Sequence, residues 1–202
     1  PLSAFIEAKG NEGSGAGGSQ EATCTVERPR AFQNLASGEG HFHVECYGAD
    51  GKLKWVEDAK NQIKDVGAKL QLDTLFSGAA QVATWFIGLI TAGGSIQTAA
   101  DTMSSHAGWT ENVSYDEATR VAWVEGAAAG SSGVISKTSS STSDFTISAS
   151  VTIDGIFLTS DSAKSGTAGT LWSTAPFATQ QVLVDNDVLK VTYTYTFTVT
   201  GT

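Results

Sequence analysis

Between Val188 and Thr200 the chain reads VLKVTYTYTFTVT. Thr occupies every second position from Thr192 to Thr200, and Val191, Tyr193, Tyr195, Phe197 and Val199 fill the alternate ones. Successive side chains of an extended strand point to opposite faces. This period of two therefore predicts a β-strand with one wet face and one apolar face that seals a core, Tyr193 and Phe197 included. His41–Tyr47 repeats the alternation, with Phe42, Val44 and Cys46 on one face and His41, His43, Glu45 and Tyr47 on the other. Asp50-Gly51 is a hairpin signal, and Lys52–Val56 reads as the returning strand.

The pattern changes once. Ile63, Val66 and Leu70 recur at spacings of three and four, and Leu75 and Phe76 extend the apolar end, predicting a helix over about residues 58–76. Asp58 stands as its N-cap and Gly78 just past its end. Gly67 weakens the helix by about 1 kcal/mol relative to Ala and permits close packing on a sheet. Val82–Thr91 follows as a buried strand, then an irregular polar loop over Asp101–Glu111, a strand at Arg120–Glu125 and a small, Ser-rich loop or edge at Ala127–Ser143. Short strands are predicted in Phe145–Thr159, at Thr170–Ser173 and at Gln181–Val184, with Asp185-Asn186-Asp187 turning the chain into the terminal strand. Many short strands with turn signals between them predict a mainly β fold. The expected architecture is an antiparallel β-sandwich, jelly-roll or Ig-like, with one packed helix.

Residues 1–37 read differently. Leu2–Ala8 is a short amphipathic piece, and Gly10–Ser19 (GNEGSGAGGS) has a flexible composition. Residues 1–37 thus read as an extended N-terminal arm and 38–202 as the sandwich body. The arm either docks on a neighbouring subunit through Leu2, Phe5 and Ile6, with Arg28 and Arg30 as further interface candidates, or is disordered.

Composition narrows the function classes. The chain has 202 residues, 41% hydrophobic and 16% charged, enough for a core that buries roughly 70% of the unfolded surface. A formal charge of −9 opposes direct binding to nucleic acid, and Arg28-Pro29-Arg30 is the nearest thing to a basic cluster. The apolar run Val82–Ala92 is too short to span a bilayer, which needs about 20 residues, and the start lacks the basic and apolar regions of a signal peptide. The chain reads as soluble and made in the cytoplasm.

Candidate chemistry is sparse. Cys24 and Cys46 are two buried free thiols or, less simply, a bridge worth about 3 kcal/mol. A zinc site would need Cys24, Cys46, His41 and His43 together, without a CxxC knuckle to support it. His106, beside Trp109, is a candidate general base; the plainer reading is a bond to loop backbone. No Gly-x-Ser-x-Gly elbow, P-loop or EF-hand appears. The expectation is a protein that is not an enzyme, with no catalytic, cofactor-binding or metal-binding residues and no cofactor. Of the five Trp, Trp85 and Trp123 sit in apolar strand patterns and read as core, whereas Trp109 and Trp172 are possible glycan-facing residues.

An ordered series of short motifs adds to this reading. Ala107-Gly108-Trp109-Thr110-Glu111 leads to Tyr115, Thr119-Arg120-Val121-Ala122-Trp123 and Asp144-Phe145-Thr146-Ile147. Gly155-Ile156-Phe157-Leu158-Thr159-Ser160, Gly169-Thr170-Leu171-Trp172 and Asp187-Val188-Leu189-Lys190-Val191-Thr192-Tyr193 follow. With Gly40–Val44, the helix and Trp85-Phe86-Ile87-Gly88-Leu89 upstream, the series resembles a group of tailed-bacteriophage virion structural proteins over about residues 38–202. The resemblance, joined to the arm, implies a capsid decoration (cement) protein on the capsid exterior. Its partner would be the major capsid protein, and it would form a homo-oligomer, a trimer ahead of a dimer, without contact to nucleic acid or membrane. The alternative is a collar, tail or head fibre protein that touches host surface glycans.

Overall fold

A computed structural model describes residues 35–91 and 97–200. The chain divides into Pro1–Ala31 and Phe32–Thr202, and every described residue belongs to the second unit. Leu2, Phe5, Ile6, Arg28 and Arg30, and Cys24 with them, lie outside the described residues.

The body is a sandwich of two antiparallel sheets with one helix. The first sheet is built on β1 (Leu35–Tyr47) and β12 (Val188–Thr200), paired without interruption from Leu35↔Thr200 to Tyr47↔Val188. Its other strands are β2 (Leu53–Lys60), β7 (Ala129–Ser131), β8 (Val134–Thr138) and β9 (Ser143–Thr146), in the order β2-β1-β12-β8-β7 with β9 also on β12. The second sheet runs β3-β11-β10-β4-β5, with β6 also on β4. Its strands are β3 (Gln62–Ile63), β4 (Trp85–Thr91), β5 (Glu111–Asn112), β6 (Val121–Trp123), β10 (Val151–Thr159) and β11 (Leu171–Leu183).

The inner faces meet in one core. Phe42, Val44 and Cys46 of β1 and Leu189, Val191 and Tyr193 of β12 are fully buried against Ile87, Leu89, Ile153 and Ile156 of the opposite sheet. The residues of β1 and β12 belong to the apolar half of an alternating strand, so the period-two reading places them correctly. A second cluster lies apart from this core: Ile90, Phe157 and Leu171 with Met103 and Trp109 from the loop after β4.

The helix α1 runs Asp65–Phe76, shorter than the spacing predicts. Asp58 is no N-cap; it sits in β2, where Glu57 and Ala59 turn inward and their neighbours outward. Ile63 belongs to β3, paired with Ser173. Lys64 is the N-cap residue, and it makes no side-chain cap bond. Gly67 is the one buried helical residue; a Cβ there would stand 2.8 Å from the Trp172 carbonyl oxygen, so the helix lies directly on β11. Gly78, at φ 71°, ends the helix, with Ala79 N–H donating to the Asp73 carbonyl at 3.1 Å.

One further expectation is sharpened and one changes. The Ser-rich stretch after Ala127 is the β7–β8 hairpin on the edge of the first sheet. The two short strands at Thr170–Ser173 and Gln181–Val184 are parts of a single β11, whose ladder with β10 skips from Pro176 to Gln181. The bulged residues turn to the other sheet, where Ala178 N–H donates to Glu57 Oε1 at 2.7 Å. Among the described residues no helix is long and apolar enough to cross a membrane.

Candidate functional site

The apolar row of β12 has two halves. Leu189, Val191 and Tyr193 are sealed, Tyr195 is half-buried, and Phe197 and Val199 are exposed, Phe197 at 36%. Phe197 is thus not the core residue that the alternation predicts. The row keeps its face, but the second sheet ends beneath it at Trp85, Trp123 and Trp172. What remains is a cleft of about 610 Å³.

Each wall comes from a different element. Leu70, Gln71, Thr74 and Leu75 of α1 form one side, and Ile135 and Lys137 of β8 form the other. The floor is aromatic: Trp85, Trp123 and Trp172 with Tyr193, and Tyr195 and Phe197 further out along β12. The rings hold one another. Trp85 and Trp172 have centroids 5.6 Å apart, Trp172 and Tyr195 stand edge-to-face at 5.5 Å, and Trp123 and Tyr193 do so at 5.1 Å.

Hydrogen bonds fix these rings from behind. The Tyr193 hydroxyl accepts from Asn61 Nδ2 at 2.9 Å and from Trp172 Nε1 at 3.2 Å, and Asn61 Oδ1 accepts from Gly40 N–H at 2.7 Å. Trp123 Nε1 donates to Ser139 Oγ at 2.9 Å. Burial raises the Tyr193 and Tyr195 phenols above their ordinary values, so both stay neutral hydroxyls. The lining includes two charged side chains, Glu125 and Lys137, and Lys137 Nζ is tied to the Gly126 carbonyl at 2.8 Å. A rigid, neutral, aromatic floor is suited to binding apolar side chains or the flat face of a ring.

The two tryptophans singled out for glycans part company. Trp172 lines the cleft. Trp109 is 5% exposed: it donates to Asp101 Oδ2 at 3.0 Å, packs on Phe157 and is capped by His106 at 3.9 Å between centroids. Its faces are therefore occupied by protein, and no glycan can lie flat on it. His106 Nδ1 lies 2.9 Å from the Trp109 carbonyl oxygen, the backbone bond expected of a loop His. A smaller cavity of about 190 Å³ beside them is lined by Met103, Glu111 and Gly166 among others.

The buried charges are cross-braces. Arg120, fully buried, makes a bidentate pair with Glu111 at 2.9 Å for each bond and donates to the carbonyls of Asp161 and Gly166. Lys64 Nζ, equally buried, donates to Gln62 Oε1 and the Thr98 carbonyl; burial lowers its pKa to about 8. Asp187 Oδ2 accepts from Lys54 Nζ at 2.5 Å and from Val184 N–H at 2.9 Å, which pins the turn before β12. Sequence reading missed these braces because their spanning partners, Lys54 with Asp187, Lys64 with Thr98 and Arg120 with Asp161 and Gly166, are remote along the chain.

Cys46 is a free, buried thiol whose pKa burial and the nearby Asp187 raise to about 11. It faces the core, whereas His43, on the outer face of β1, contacts Asp58 at 2.8 Å. The strand's two faces thus keep Cys46 away from the histidines, and the four-ligand zinc set does not assemble. Among the described residues no group of three or more His, Cys, Asp and Glu side chains could hold a metal ion.

No protein-family model matches the chain, and a search of curated proteins finds no match.

Proposed function

We propose that this chain is a virion structural protein of the tailed-bacteriophage type, a capsid decoration protein that attaches to the outside of the major capsid shell and stabilises it. The observation that carries the reading is the contrast within the body: a strongly braced sandwich, and one end where aromatic and aliphatic side chains stay open. A clamp needs a body that does not yield and a surface that gains contact area on docking. The ordered motif resemblance supplies the virion context and implies several copies on the shell, trimers ahead of dimers.

The test is reconstitution. Purified chain is added to empty shells assembled from a tailed-bacteriophage major capsid protein, then measured by co-sedimentation and by shell survival on heating. Saturable binding with a raised shell melting temperature is the expected outcome. Absence of binding, together with binding to cell surfaces or glycans, rejects the reading. It would favour instead a fibre or collar protein that contacts host glycans, a second reading supported by Trp172 lining an open aromatic cleft.

A further inference from the structure

The helix α1 is apolar on two sides. Val66 and Leu70 turn toward the sandwich with Gly67, while Leu72, Leu75 and Phe76, at spacings of three and four, share another face. Those three are 57%, 66% and 81% exposed. A helix with apolar residues on opposite sides is ordinarily covered on both. Leu75 also lines the cleft, and Ile135, Phe197 and Val199 continue the exposed apolar surface on its far side.

We propose that this end of the molecule is a two-fold interface with a second copy of the chain, in which the helix face Leu72–Leu75–Phe76 of each copy enters the cleft of the other. Three observations favour this occupant. The first is shape: a protruding aromatic helix end and a cleft of about 610 Å³ lie side by side and share Leu75. A rotation that seats one copy's helix also presents the second copy's helix to the first cleft, which is the self-complementarity an isologous contact requires.

The second is area. From ordinary side-chain areas, the six exposed apolar residues offer on the order of 600 Å² per copy, before the cleft floor is added. A stable interface buries roughly 800 Å² per partner, and an exposed patch of this size is already large for a monomer. The third is charge. The body belongs to a chain of net charge −9, so two copies repel at most faces. The cleft lining carries one acid and one base, Glu125 and Lys137, and removes that penalty at this end. The pairing is independent of what the outer partner is, and it sets a dimer against the trimer that the family resemblance implies.

The test is sedimentation velocity on the full chain at up to about 50 μM, a range that detects micromolar pairing. The unmodified chain is expected to be dimeric. Phe76→Asp and Leu75→Asp, both at exposed positions, should raise the dissociation constant more than about 30-fold, the effect of losing an interface anchor. Val182→Asp, also exposed but at the opposite end of β11, should leave it unchanged. Circular dichroism checks that each variant is folded, and an unfolded Phe76→Asp passes the decision to Leu75→Asp. A monomer throughout, a trimer, a dimer indifferent to both helix variants, or equal weakening by Val182→Asp overturns the proposal.

Discussion

The two halves of β12 carry the same kind of side chains and meet different fates. Val191 and Tyr193 lie under a complete second sheet and are fully buried; Phe197 and Val199, on the same face four to eight residues later, stand open. Strand periodicity fixes which face a residue takes, but not how far the opposite layer extends. That extent depends on where β4, β6 and β11 end, and it turns one uniform row into a core at one end and a recognition surface at the other.

Four measurements bear on this contrast. Tyr193→Ala should destabilise the fold by about 3–5 kcal/mol, read from urea unfolding, because the ring packs on Phe42 at 4.4 Å and its hydroxyl joins Asn61 to Trp172. A loss below about 1 kcal/mol would mean that the sealed half is not sealed. Asp187→Ala, at the entry to the same strand, should cost about 2 kcal/mol in the same assay, since it strands the Val184 amide and frees Lys54. Phe197→Ala should cost under about 1 kcal/mol in a dilute, monomeric sample. A cost near that of Tyr193→Ala would erase the distinction between the halves.

The smallest effect is a pH dependence on the outer face of β1. Asp58 bonds His43 and raises its pKa above the ordinary 6.5, with Glu45 adding to the effect. The folded value exceeds the unfolded one, so this stabilisation is complete below about pH 6.5 and is lost as pH rises through the higher folded value. The pair is solvent-exposed and screened, so the change amounts to a few tenths of a kcal/mol. Thermal melts at pH 5.5 and 8 should show it, and Asp58→Asn should remove it; an unchanged difference in that variant would assign the effect elsewhere.

The sandwich was legible because alternation is local. Val44 and Val191 announce their face from their immediate neighbours, and the turns at Asp50-Gly51 and Asp185–Asp187 mark where strands reverse. The start of the helix was misread because β2 hides Glu57, a charged residue, on its inward face, where the amide of Ala178 compensates it. That bond crosses from one sheet to the other and leaves no trace in the spacing of Asp58, Ile63 and Val66. The cleft was half legible. Trp172 reads as a glycan-facing candidate, but Leu75 and Ile135 become walls of the cleft only because a helix and a hairpin distant in sequence flank the same sheet end.

The unbroken register of β1 against β12 has a mechanical consequence. Leu35 and Thr200 are partners at one end of a thirteen-pair antiparallel ladder, so these two strand ends lie side by side. Tension between those two points would load the ladder one pair at a time and peel it open from the aromatic end inward. Tension applied between Leu35 and the far end of β12 would instead strain many pairs at once. A body tethered by these strands would therefore yield or hold according to the direction in which it is pulled.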